Sequence, residues 1–178
     1  LHQGVPGSGK TTKIVNKIIK LSEQGKKIFV APFTNKAIDN IHEKLIEEDE
    51  NLDNKIHRFG SSHQRIDNPF SISADYNDVN AATQELEQKS IFLSTIHAAN
   101  SELVKNVAKY DCVIIDEASQ INIPMSFIPL SLSNNISLVG DHFQLPPIFS
   151  EQVVDQNNDK KSFLSIFETL WINSEGLI

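Results

Sequence analysis

The residues Gly4-Val5-Pro6-Gly7-Ser8-Gly9-Lys10-Thr11 satisfy the phosphate-loop pattern at every required position. Glycines at this spacing let successive backbone N–H groups turn toward one anion, and the helix that follows adds its favourable dipole. Lys10 is placed to reach the β- and γ-phosphates of a nucleotide, and the Thr11 hydroxyl to ligate Mg2+. Thr12 closes the block and is expected to pack or cap. The candidate nucleotide-binding residues here are therefore Gly4, Pro6, Gly7, Ser8, Gly9, Lys10, Thr11 and Thr12. A chance glycine-rich turn is the bland alternative. A dehydrogenase fingerprint fits poorly, since it has no need of the Gly-Lys-Thr ending.

A second cluster completes the chemistry. Val113-Ile114-Ile115-Asp116-Glu117 is an apolar run that ends in two acids. Asp116 is the expected Mg2+ partner through water or the outer shell, making Thr11 and Asp116 the candidate metal set. Glu117 is placed to orient and activate an attacking water. Adjacent acids can take different tasks where a strand is ending, because strict alternation no longer holds. The implied reaction is in-line attack of water on the γ-phosphate of ATP, with charge neutralised by Lys10 and Mg2+. A solvated acidic turn is the alternative. Asn35-Lys36-Ala37-Ile38-Asp39 nearly gives a guanine reader, but its acid comes one residue late and too early in the chain.

Elements must hold these groups. Residues 9–24 read as a helix with Ile14, Ile18 and Leu21 on one face, stopped by Gly25. Residues 26–33 read as a strand, and Thr34 can cap a helix running to residue 48 along Ala37, Ile41 and Leu45. Residues 56–59 and 91–95 have strand character, and helices are expected over 77–88 and 102–108. Residues 112–115 and 136–139 have the profile of central parallel strands with chemistry at their carboxyl ends. Residues 156–161 form a solvated break before a helix at 163–171. The alternation predicts an α/β fold with a mainly parallel central sheet covered by helices on both faces.

Composition is consistent with one compact domain: 178 residues, 39% hydrophobic and 22% charged. A single cysteine excludes a disulfide scaffold and suits a reducing, intracellular setting, with nucleus and cytoplasm not distinguished. The net charge of -7 argues against a polycationic nucleic-acid binder, though a narrow track of amides and hydroxyls stays compatible with it. No apolar run is long enough to cross a bilayer, and no membrane partner is expected. Cys112 reads as core packing, and the histidines show no metal spacing. Trp171, Phe163, Phe167 and Leu170 read as a packing stripe rather than a base-stacking platform. The chain starts abruptly at Leu1, almost at the phosphate loop, as a piece of a longer protein would.

Taken together, five blocks resemble the superfamily-one helicases of the nonsense-mediated-decay helicase and replication nuclease–helicase type. They are the stretch 4–12, Ala31-Pro32-Phe33-Thr34-Asn35-Lys36-Ala37-Ile38-Asp39-Asn40, Ser94-Thr95-Ile96-His97, Asp116-Glu117-Ala118-Ser119-Gln120, and Gly140-Asp141-His142-Phe143-Gln144-Leu145-Pro146-Pro147. His57-Arg58-Phe59-Gly60 leans toward the nuclease–helicase side. The resemblance implies that residues 1–178 are a first RecA-like P-loop ATPase domain, truncated at both ends, with a short insertion at about residues 61–89. It also implies ATP hydrolysis coupled to movement on single-stranded DNA or RNA, and a second RecA-like domain of the same chain as partner. No oligomer is predicted.

By the same resemblance, Thr34, Asn35 and Thr95 contact the nucleic-acid backbone. Gln144 joins Lys10 and Glu117 in the catalytic set and links the γ-phosphate to strand movement, with Asp141 in support. Threonine and asparagine suit such a track, since they bond phosphate oxygens without reading a base. Val5 and Ser8 depart from common family choices but leave backbone phosphate binding intact. Neither arginine, Arg58 or Arg65, sits in a finger motif. A stand-alone nucleotide-binding or small-molecule kinase domain and an inert interaction domain are the competing readings.

Overall fold

The computed structural model describes residues 1–4, 9–59, 86–101, 104–105, 109–141 and 165–174. Its centre is a six-stranded sheet in the order β1-β6-β5-β2-β4-β3, with every neighbouring pair parallel. The strands are β1 (His2–Gln3), β2 (Ile28–Ala31), β3 (Ile56–Arg58), β4 (Ile91–Leu93), β5 (Cys112–Ile115) and β6 (Ile136–Gly140). The helices among the described residues include α1 (Lys10–Glu23), α2 (Asn35–Glu48), α3 (Ile123–Ser131) and α4 (Ile166–Ser174). Parallel strands need crossover connections, and α1 and α2 supply two of them.

The central strands β2, β4 and β5 are buried on both faces, which is why their sequences are continuously apolar rather than alternating. On one face Ile28, Val30, Ile91, Leu93, Cys112, Ile114 and Val139 pack against Ile14, Val15 and Ile18 of α1 and Ile38, Ile41 and Leu45 of α2. On the other, Phe29, Ala31, Phe92, Val113, Ile115 and Leu138 meet Ile121, Ile166 and Phe167. The split follows the period-two geometry of a strand. Each fully buried Ile or Leu contributes roughly 1.5–3 kcal/mol, so the sheet is the rigid part of the molecule. Cys112 lies in this core, as expected.

Most element boundaries fall within two residues of the sequence expectation, and the departures have local causes. The final helix begins at Ile166, later than expected, because the Ser165 hydroxyl accepts from the Glu168 N–H at 3.0 Å and so marks the start. Phe167 is buried and stacks on Trp171 at 6.0 Å between ring centroids, whereas Leu170 is exposed and falls outside the packing stripe. Helix α3 escapes the sequence reading because Pro129 lies inside it and its apolar residues show no period. Asn122 starts it by accepting from the Met125 N–H at 2.9 Å, and a proline in its first turn costs no bond. Of the expected helices at 77–88 and 102–108, Leu86, Glu87, Val104 and Lys105 are helical and Gln88 is a turn; the rest, and nearly all of the expected insertion at 61–89, lie outside the described residues.

Candidate functional site

The site begins at the carboxyl edge of the sheet, where every strand delivers its chain to the same side. After β1, the Gly4 N–H donates to the Gly140 carbonyl of β6 at 3.2 Å, tying the entry of the phosphate loop to a neighbouring strand end. Val5, Pro6, Gly7 and Ser8 lie outside the described residues. The chain resumes at Gly9, whose φ of 79° is a left-handed conformation that a β-carbon would strain. Gly9 carries no side-chain cap onto α1, and the first turn holds no acid. No cap from Gly9 and no first-turn acid therefore competes with an anion at this helix start. Lys10 donates from Nζ to the Gly4 carbonyl at 2.6 Å, Thr11 is half-buried and Thr12 exposed.

Asp116 and Glu117 follow β5 directly. Asp116 is buried and its Oδ1 accepts from the Glu117 N–H at 2.8 Å. Burial pushes its carboxyl above the usual range, opposed by that N–H and by the Lys10 charge. Burial and then the Asp116 charge push Glu117 up as well, again opposed by Lys10. The Lys10 ammonium thus acts on both acids and shares their neighbourhood. Glu117 is the only non-glycine residue with positive φ among those described, at φ 55° and ψ 35°. That twist turns successive side chains away from strand alternation, so Asp116 is held in the interior while Glu117 is half-buried. Thr11 offers a hydroxyl and Asp116 a carboxylate, oxygen donors of the kind that suit a hard cation such as Mg2+.

Asp141 is buried at the end of β6. A side chain at Gly140 before it would be crowded: a β-carbon there would lie 3.0 Å from the Phe167 ring and 3.1 Å from the Ser119 N–H nitrogen. Gln144, with Pro146 and Pro147, lies outside the described residues.

The other half of the edge carries Thr34, Asn35 and Thr95. Thr34 caps α2, its Oγ1 accepting from the Ala37 N–H at 3.2 Å, and Thr95 Oγ1 accepts from the Ala98 N–H at 3.3 Å. The loops after β2 and β4 are stitched together by Ser94 N–H to Val30 carbonyl and Ile96 N–H to Pro32 carbonyl, both 3.1 Å. Phe33 and His97 meet above the seam with ring centroids 5.8 Å apart. Thr34, Asn35 and Thr95 therefore belong to one patch. Sequence reasoning gave no site role to Arg58, which ends β3 and reaches back to Asp39 and Asn35 on α2. No local pattern links residues so far apart in the chain. Among the described residues no cluster of histidine, cysteine and acids could hold a metal on its own, and no helix is long and apolar enough to cross a membrane.

Comparison with known proteins agrees with this arrangement. A family model described as an AAA domain matches residues 1–81 and 72–152. The DNA replication ATP-dependent helicase/nuclease dna2 of Schizosaccharomyces pombe is 38% identical over 150 residues, covering 82% of this chain and 10% of that protein. The DNA replication ATP-dependent helicase/nuclease JHS1 of Arabidopsis thaliana is 35% identical over 155 residues, covering 86% of this chain and 11% of that protein. The chain thus spans about a tenth of the length of these relatives. Among solved structures, the Arterivirus nonstructural protein 10 helicase in complex with DNA superposes with a TM-score of 0.56 at 17% identity, over 93% of this chain and 34% of that one, a likeness of fold. The parallel sheet, the strand-end acids and these matches lead to one conclusion: the chain belongs to the AAA domain family, as a RecA-like nucleoside-triphosphate-binding motor domain related to the superfamily-one replication helicase/nucleases.

Proposed function

We propose that this chain is the first RecA-like domain of an ATP-dependent helicase, hydrolysing ATP with Mg2+ and coupling that hydrolysis to movement along single-stranded DNA or RNA. The observation that carries the reading is the all-parallel sheet, whose carboxyl edge has the start of α1 with Lys10 and the acid pair after β5 on one side, with the Lys10 charge bearing on both acids. In this reading the amides at the start of α1 and the Lys10 ammonium hold the terminal phosphates, and the amine exchanges the Gly4 carbonyl for a phosphate oxygen. Thr11 and Asp116 hold Mg2+, which when bound neutralises charge on the phosphates. Glu117, with its carboxyl exposed enough to meet solvent, orients the attacking water. Gln144 reports the γ-phosphate, a second RecA-like domain of the same chain completes the site, and the setting is intracellular.

The same reading assigns the nucleic-acid backbone to Thr34, Asn35 and Thr95. A hydroxyl that accepts from a backbone N–H keeps its own proton to donate, so both threonines present donors. Phosphate oxygens are acceptors, which suits a track indifferent to base sequence.

Nucleotide affinity and steady-state hydrolysis, measured separately in the full-length protein with and without a single strand, test the proposal. Lys10→Ala should abolish hydrolysis. Glu117→Gln should retain ATP binding and stop turnover. Full turnover in the Glu117 variant would remove it as the water-orienting residue, and hydrolysis indifferent to single strands would favour a stand-alone nucleotide-binding domain.

A further inference from the structure

Arg58 is the last residue of β3, and its side chain is only 12% exposed. The guanidinium forks over the start of α2. Nη1 pairs with Asp39 Oδ1, and Nη2 donates to Asn35 Oδ1 at 3.3 Å. Asn35 and Asp39 stand four residues apart and so lie on one face of the helix. The chemistry of this fork has one consequence for Asn35. A guanidinium carries donors and no acceptor, so only the amide oxygen can face it. The amide nitrogen must then occupy the opposite arm of a side chain that is exposed.

We propose that Arg58 is a positioning residue for the single strand: it fixes the Asn35 amide with its NH2 turned outward as a donor to a phosphodiester oxygen. The inference rests on the reading of Asn35 as a backbone contact. It makes Asn35 agree with Thr34 and Thr95, whose oxygens are likewise committed to internal N–H groups. All three then present a donor outward, and the ligand that can use all three donors is the acceptor-rich phosphate backbone. A base edge, which mixes donors and acceptors, matches less well. Lysine cannot replace Arg58, because a single ammonium lacks the planar fork that spans both partners. Two of the five Arg58 donors are committed to Asp39 and Asn35 and the side chain is largely buried, so its part is to hold Asn35 and not to bind the strand itself.

The test uses the full-length protein and single-stranded oligothymidylate, reading the strand concentration for half-maximal stimulation of ATP hydrolysis. Arg58→Lys should raise that concentration about tenfold, the scale of one well-placed hydrogen bond to a charged group. KM for ATP and strand-free hydrolysis should stay unchanged. Asn35→Ala should act in the same direction, and adding Arg58→Lys to it should cost little more, because both remove one contact. Asn35→Asp, which keeps an acceptor for Arg58 but has no NH2 and repels a phosphate, should weaken the response at least as much as Asn35→Ala and serves if the arginine variant folds poorly. A normal response of Arg58→Lys beside a weakened Asn35→Ala overturns the positioning role while the patch stands. Fully additive effects overturn it too, by making Arg58 an independent contact. Unchanged half-maximal concentrations in both Asn35→Ala and Thr34→Ala overturn the patch and the inference together.

Discussion

Glu117 shows how one residue's backbone sets its chemistry. A left-handed conformation costs an ordinary side chain on the order of 1 kcal/mol, and only glycine and asparagine accept it readily. The glutamate occupies it where β5 gives way to the short 3-10 turn Ala118–Gln120, which frees the two acids from strand alternation. Two neutral amides separate this strain from charge. Glu117→Asn and Glu117→Gln both lose the carboxylate, yet the asparagine variant should be more stable by about 0.5–1 kcal/mol. Equal thermal midpoints would show that the backbone is relaxed at this position. The types and order of Lys10, Asp116 and Glu117 were legible in the sequence, because a phosphate loop and a strand-end acid pair are local patterns. The left-handed conformation of Glu117 was not, since nothing in the residue type asks for it. The role of Arg58 was illegible because its partners lie on another element.

At the scale of elements, the strands that carry the acids must start in register. Asp111 arranges this for β5 against β2. Its Oδ2 accepts from the Lys27 N–H at 2.8 Å, its own N–H donates to the Lys27 carbonyl at 2.8 Å, and Oδ1 pairs with Lys26 at 3.2 Å. The Lys27 N–H chiefly, with Lys26, holds the Asp111 carboxyl below the usual aspartate range. A depressed carboxyl contributes stability above its unfolded value and loses it as pH falls through the folded one. Asp111→Asn should therefore lower the thermal midpoint at neutral pH by about 1–3 °C, a small effect for a pair so exposed. The gap should close as pH drops below the aspartate range, and a gap independent of pH would assign the loss to packing. The six strands illustrate what sequence can give at this level. Continuous apolar runs marked β2, β4, β5 and β6 because burial on both faces demands them, whereas α3 stayed hidden behind a proline its packing tolerates.

Across the whole molecule, the strand order separates the carboxyl edge into two neighbourhoods. β1, β6 and β5 carry Lys10, Asp141 and the acid pair, while β2, β4 and β3 carry Thr34, Thr95 and Arg58. With strands ~4.8 Å apart, the ends of β1 and β4 stand roughly 20 Å from each other, room for a nucleotide and a strand at once. One such sheet offers a single wall of a nucleotide site. We expect the 178-residue chain alone to bind Mg2+–ATP weakly and to unwind no duplex, because a partner arginine in related chemistry accelerates hydrolysis about a thousandfold or more. A strand-displacement assay with the isolated chain checks this, and robust unwinding would refute it. The parallel ladder from Ile28↔Cys112 to Ala31↔Ile115 joins the two neighbourhoods through the most buried part of the core. Close-packed interiors of this kind shift as blocks and do not stretch. If the proposed sites are right, the gap between fuel and track is fixed like two bolts in one plate, and any stride would come from another body swinging against this one.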